Sequence, residues 1–268
     1  KGMMQQAQDF RDESEKLHQL VATLSDLDLE RKTAFKGWTI NNVLGHLHIW
    51  NYAADLSLND EAALLKYLES LGKHSAEGGT ITSFEDKWLD GLKGQALVGE
   101  WLKFFREMAG RFGDADPAAR LKWAGPDMSA RSSITARLME TWAHGQAVYD
   151  LLGEVRVNSD AVRNIVVLGN NTYGWTYSVR GEVPPEPRPC LKLAAPSGDL
   201  WTYNEPGDGE LIEGLAEEFC QVVTQVRNIA DTNLKVTGDN ARDWMSKAQC
   251  FAGGAHAPPE AVTRKTGV

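Results

Sequence analysis

Two histidines and one glutamate hold the clearest chemical potential in this chain. Glu140 and His144 stand four residues apart in Leu138-Met139-Glu140-Thr141-Trp142-Ala143-His144-Gly145. Side chains at that spacing leave one face of a helix, close enough to hold one ion. His46, in Val43-Leu44-Gly45-His46-Leu47, lies on a second expected helix. Two imidazoles and a carboxylate make a possible site for a divalent metal, with one coordination position left open for chemistry. Zinc suits that donor set, with nickel, iron and manganese as the other candidates.

On a helical wheel of about 100° per residue, His46 falls at the margin of a buried face formed by Val43, Leu47, Trp50 and Ala54. His48 falls on the opposite side and is expected to meet solvent. Glu140, His144 and Arg137 share an inward face with Ala147, Val148 and Leu151. A carboxylate and an imidazole placed there need a partner, because burying an unpaired charge is costly; a metal ion would supply one. The same spacing also suits a surface ion pair, and His46 suits a hydrogen-bonded core histidine. Arg137 could bind an acidic substrate or pair with a glutamate. Arg227, at the end of the apolar stretch Phe219–Val226, could clamp a carboxylate bidentately or close a solvated helix end. Trp38, Trp50 and Trp142 could wall a substrate pocket or fill the core.

The elements that must position these residues divide the chain in two. Residues 1–157 read as an antiparallel helix bundle. Phe10, Leu17, Leu20, Val21 and Leu24 recur at helical spacing, and Thr39 can cap a helix from Ile40 to about Leu56. Further apolar-periodic stretches run over Glu61–Leu71 and over Phe84–Phe112, the latter interrupted at Gly91, Gly94 and Gly99. Ser132 or Ser133 can start the helix of Glu140 and His144, and Gly153 can end it in a left-handed cap. Residues 158–268 read as a smaller α+β domain with a connecting helix over Ser159–Val179 and a proline-rich linker, since six of the ten prolines fall between Pro184 and Pro206. Cys190–Ala195 and Leu200–Tyr203, joined by Pro196-Ser197-Gly198-Asp199, read as a hairpin. Glu210–Asn228 reads as a helix, Asn233–Gly238 as a strand and Asp239 to about Phe251 as a last helix. The tail after Gly253 is expected to be loose.

Composition narrows the function classes. With 42% hydrophobic and 24% charged residues the chain is an ordinary soluble globular protein, and 268 residues suffice for one or two cored domains. A formal net charge of −9 argues against nucleic acid or an anionic membrane as partner. No apolar run approaches the roughly 18 residues of a membrane span, and no signal-peptide pattern opens the chain. Three widely spaced cysteines, with no CxxC pair, exclude a disulfide framework and fit a reducing cytoplasm.

Gly37-Trp38-Thr39-Ile40 followed by Val43-Leu44-Gly45-His46-Leu47 resembles the first motif of the mycothiol-dependent maleylpyruvate isomerase family, and Glu140-Thr141-Trp142-Ala143-His144-Gly145-Gln146 resembles its second. The resemblance extends over nearly the whole chain. Arg180-Gly181, Leu200-Trp201-Thr202, Gly238-Asp239 and Ala248-Gln249-Cys250-Phe251-Ala252-Gly253 are similar to a subgroup of metal-binding proteins. It implies a DinB-like four-helix bundle that binds zinc through His46, Glu140 and His144, and a C-terminal domain like sterol-carrier α+β folds. In the isomerase that second domain contributes an arginine, which Arg227 would match. Gln146 stands where many relatives carry Asp, so no role tied to that carboxylate transfers.

The chain is therefore expected to be a metal-dependent protein that uses a low-molecular-weight thiol to isomerise, or to transfer to, a small electrophilic substrate. Arg227 or Arg137 would hold a substrate carboxylate. The alternative is a non-catalytic protein that binds a metal and an apolar ligand. A monomer or homodimer without nucleic-acid or membrane partners is expected in either case.

Overall fold

The computed structural model describes residues 2–207 and 209–262. It divides into two compact units, Lys1–Val148 and Tyr149–Val268. The first is a helix bundle and the second a small sheet with helices, the fold class expected from sequence.

In the first unit the helices are α1 (Gln5–Val21), α2 (Ile40–Asn59), α3 (Glu61–Ala76), α4 (Ile81–Leu89), α5 (Gly94–Asp114) and α6 (Ala130–Leu152), whose last turn crosses into the second unit. A two-stranded antiparallel ribbon, β1 (Arg120–Leu121) with β2 (Met128–Ser129), precedes α6. Helix α5 packs on α1 and on α2. Helix α6 docks on α2 through Arg137, whose Nε donates to Asn51 Oδ1 at 3.1 Å. The interior is aliphatic and aromatic, with Phe10, Leu17, Leu44, Trp101, Phe105 and Trp142 all buried. A second cluster under α3 and α4 packs Ile49, Leu64, Tyr67 and Phe84 together.

Local chemistry sets the start of α2. Thr39 Oγ1 accepts from Asn42 N–H at 3.0 Å while Asn42 Oδ1 accepts from Thr39 N–H at 2.9 Å, a reciprocal cap that satisfies two otherwise orphaned donors. The stretch over 84–112, expected to be interrupted at Gly91, Gly94 and Gly99, is two helices: the break falls at the first two glycines, and Gly99 lies within α5. Asp90 (φ 48°), Gly91 (φ 84°) and Gly94 (φ 66°) are left-handed, a backbone that ends α4 and restarts the chain as α5.

In the second unit a 3₁₀ turn leads into α7 (Arg163–Asn171) and α8 (Tyr173–Ser178), so the expected connecting helix is broken at Thr172. Strands β3 (Cys190–Ala194), β4 (Leu200–Tyr203), β5 (Leu211–Leu215) and β6 (Lys235–Thr237) form one sheet in the order β4-β3-β5-β6. The β3–β4 pair is the expected hairpin, β3 and β5 are parallel, and β5–β6 is antiparallel. Helix α9 (Ala216–Val223) packs on β3 and β5, and α10 (Asp239–Met245) on β6. Leu191, Leu193 and Ile212 are wholly buried while Lys192 is exposed, the alternation of a sheet covered on one face.

Two expectations for this unit are corrected. Residues 211–215 are a strand, because parallel pairing with β3 overrides their helical pattern. The tail is also not loose up to residue 262. Arg180 Nη2 and Gln225 Nε2 both donate to the His256 carbonyl, at 2.7 and 2.8 Å, and Asn228 Nδ2 donates to the Pro259 carbonyl at 2.9 Å. Residues 263–268 lie outside the described residues.

Candidate metal centre

The first unit brings His46, Glu140 and His144 together. One ligand atom from each lies within 4.8 Å of the others. His144 Nε2 is 3.0 Å from Glu140 Oε2, and the two imidazole rings meet edge to face at 4.7 Å. Glycine and threonine build the aromatic wall beside them. Lys36 and Gly37 take consecutive positive φ values, 52° and 70°, in a tight hairpin closed by Thr33 N–H to Trp38 O (2.7 Å) and by the Lys32–Thr39 bridge. That hairpin lays Trp38 flat on His144, with ring centres 5.7 Å apart, and sets Phe35 edge-on to the same ring at 5.3 Å. Trp38 also meets His46 at 5.1 Å.

The electrostatics favour cation-binding protonation states. Burial, and then the His144 imidazole, push His46 well below its ordinary value, so it is neutral and keeps a lone pair for a metal. Burial alone would raise Glu140, but the His144 hydrogen bond and its electropositive neighbours, Arg137 among them, bring it down to about 2. A neutral His46 and an ionised Glu140 are forms that zinc and related ions bind. The donor set and its spacing fit a divalent ion.

Sequence reasoning missed Glu85, on α4. Its Oε2 lies 2.7 Å from His46 Nδ1 and 3.2 Å from Trp50 Nε1, and the residue is 5% exposed. Burial pushes its carboxyl up to about 7, against the pull of the Trp50 hydrogen bond. A signal was present. Glu85 shares a helical stripe with Ile81, Trp88 and Leu89, and an acid on an apolar stripe requires a partner. His48 is also corrected. It is 7% exposed, packed between Trp88 and Phe104 at 5.9 and 5.7 Å, because α4 and α5 cover the face that an isolated wheel leaves open.

The two candidate arginines have different surroundings. Arg137 is buried in the first unit and makes no ion pair among the described residues. Beyond Asn51, its Nη2 donates to the Leu47 carbonyl at 3.4 Å. Burial lowers it to about 10, still a cation at neutral pH. Arg227 is wholly buried in the second unit, where Nη1 and Nη2 donate to the two carboxylate oxygens of Asp150, each at 2.8 Å.

Comparison with known proteins gives the family and the fold. Residues 10–149 match the family model described as the mycothiol maleylpyruvate isomerase N-terminal domain. Two uncharacterised proteins of Mycobacterium tuberculosis, from strains CDC 1551 / Oshkosh and ATCC 25618 / H37Rv, are each 35% identical over 249 residues, covering 91% of this chain and 94% of the relative. Crystal structures of the mycothiol-dependent maleylpyruvate isomerase and of a histidine-to-alanine mutant of it share the fold. Their TM-scores are 0.54 and 0.52 at 14% and 15% identity, over 81% of this chain and 87% of theirs. By its matched domain and its full-length relatives, this chain belongs to the mycothiol maleylpyruvate isomerase family.

Proposed function

We propose that this chain binds a divalent metal ion, zinc first among the candidates, through His46, Glu140 and His144, and uses a low-molecular-weight thiol to isomerise, or to transfer to, a small electrophilic substrate. The observation that carries the reading is the convergence of these three donors from two separate helices. When bound, such an ion supplies a Lewis acid that lowers the pKa of a thiol at its open position. The protein's own residues do the rest. Phe35 and Trp38 keep bulk water from the imidazoles. Arg137 is a buried cation beside Glu140 that makes no ion pair among the described residues, suited to a carboxylate on the substrate. Arg227 is a second candidate for such a carboxylate, which it would take in exchange for Asp150. The solved relatives use mycothiol and maleylpyruvate by name, so mycothiol with maleylpyruvate-like acids is the first combination to assay.

A second reading, a non-catalytic metal- and apolar-ligand-binding protein, draws on a cavity of about 560 Å³ in the first unit, where Tyr52, Tyr67, Phe84 and Trp88 are ringed by Lys66, Lys73 and Lys87. Elemental analysis of protein purified without chelator or nickel resin separates the outcomes. Near-stoichiometric metal, lost in His144→Ala and Glu140→Gln, and turnover that needs both metal and thiol support the enzyme. Metal with a retained apolar ligand and no turnover across several thiols supports the binding protein. Absence of metal from the wild type would sink both.

A further inference from the structure

The Glu85 carboxylate links α4 to the proposed centre. One oxygen, Oε2, lies within hydrogen-bond distance of two nitrogens on successive turns of α2: it accepts from Nε1–H of Trp50 at 3.2 Å and is 2.7 Å from Nδ1 of His46. Indole Nε1–H can only donate, so Oε2 is the accepting oxygen there, and the same oxygen beside His46 suits a proton on Nδ1, with the lone pair of the imidazole at Nε2. The approach of α4 to α2 is itself built in. Gly45, beside His46, has no side chain where a Cβ would stand 2.7 Å from Leu89 Cδ1, and Leu89 is one turn beyond Glu85 on α4. Removing that single carbon lets Leu89 seat on α2 and lets the carboxylate reach the ring.

We infer that Glu85 is a positioning residue, which holds the tautomer and ring orientation of His46 so that Nε2 is the nitrogen offered to the cation. The inference rests on the metal reading above and extends it to an element outside the ligand set. A carboxylate that holds the far nitrogen of a metal-ligating histidine contributes about 10–100-fold to metal affinity. It also makes the ligand more basic than a histidine bonded to a neutral amide.

The test has a metal-bound and a metal-free arm. Zinc affinity is measured by competition with a chromophoric chelator for wild type, Glu85→Gln and Glu85→Ala. Side-chain nitrogen NMR of the metal-free protein reports which nitrogen of His46 carries its proton. Glu85→Ala is expected to bind zinc about 10–100-fold more weakly and to lose the Nδ1–H tautomer. Glu85→Gln, whose amide oxygen still accepts, is expected to keep the tautomer and most of the affinity. The proposal is overturned if Glu85→Ala binds zinc as tightly as wild type, or if wild-type His46 carries its proton on Nε2. The wild-type tautomer decides the matter even if Glu85→Ala fails to fold. Should wild type take up no zinc, the proposed function fails, while the tautomer still shows whether Glu85 sets the ring.

Discussion

A buried cation with no ion pair among the described residues is costly in a protein interior, and Arg137, beside Glu140, is that cation. Its hydrogen bonds to Asn51 and Leu47 are to neutral groups, and the residue is 4% exposed. A group desolvated to that extent without an ion pair is destabilising unless something else uses its charge. Arg137→Lys keeps the charge and removes the planar fork. We expect the KM for an acidic substrate to rise about tenfold or more, from loss of one charge-assisted hydrogen bond, with metal content unchanged. An unaltered KM would remove Arg137 from substrate binding and leave it as a strut between α6 and α2. At this scale the sequence was informative wherever a side chain's partner lay on the same helix. Glu140 and His144 could be paired from spacing alone. Glu85 and His48 could not, because what each touches comes from a helix at another place in the chain.

Helices α2 and α4 show how much depends on one missing carbon. Gly45→Ala would gain about 1 kcal/mol of helix propensity and lose about 1–3 kcal/mol to overpacking against Leu89, a near balance because Leu89 can rotate away. Gly45→Val has no such gain and more bulk. It should lower the melting temperature and, by moving α4 off α2, weaken zinc binding in step with Glu85→Ala. If Gly45→Val melted earlier yet bound zinc normally in a chelator competition, the link between α4 seating and the metal centre would be refuted. The same elements mark the limits of periodicity. The cap at Thr39 and the left-handed Gly153 (φ 68°) were legible because they are local chemistry. The break between α4 and α5 was legible in part, from Gly91 and Gly94. Strand β5 was not legible. Its five residues are too few for a periodic signal to outweigh the helix that follows, and its partners β3 and β6 are distant in sequence.

At the scale of the molecule, each unit has its own core and buries arginine within it. In the second unit Arg227 is wholly buried, and Asp150 meets it with both oxygens. Asp150→Ala would leave a guanidinium in the interior without its counter-charge, which typically costs about 3–5 kcal/mol. The midpoint of urea unfolding should fall accordingly, and the pair Asp150→Leu with Arg227→Met should recover much of the loss. A shift under about 1 kcal/mol would mean that Arg227 is satisfied by other groups and is free to exchange Asp150 for a substrate. Among the described residues no helix is long and apolar enough to cross a membrane, in line with an acidic chain of ordinary composition.

The amino-acid sequence by itself determined the class of each half, the cap and face of the helices, and the three residues with the chemistry for a metal. All of these follow from interactions within a few residues or from the period of a single element. Only the tertiary structure decided that His46 meets Glu140 and His144, that Glu85 stands behind His46, that His48 is covered, and that Arg227 is held by Asp150. Those pairings join positions from 39 to 98 residues apart, and the packing that brings them together depends on shape at every contact between elements, which no local pattern records.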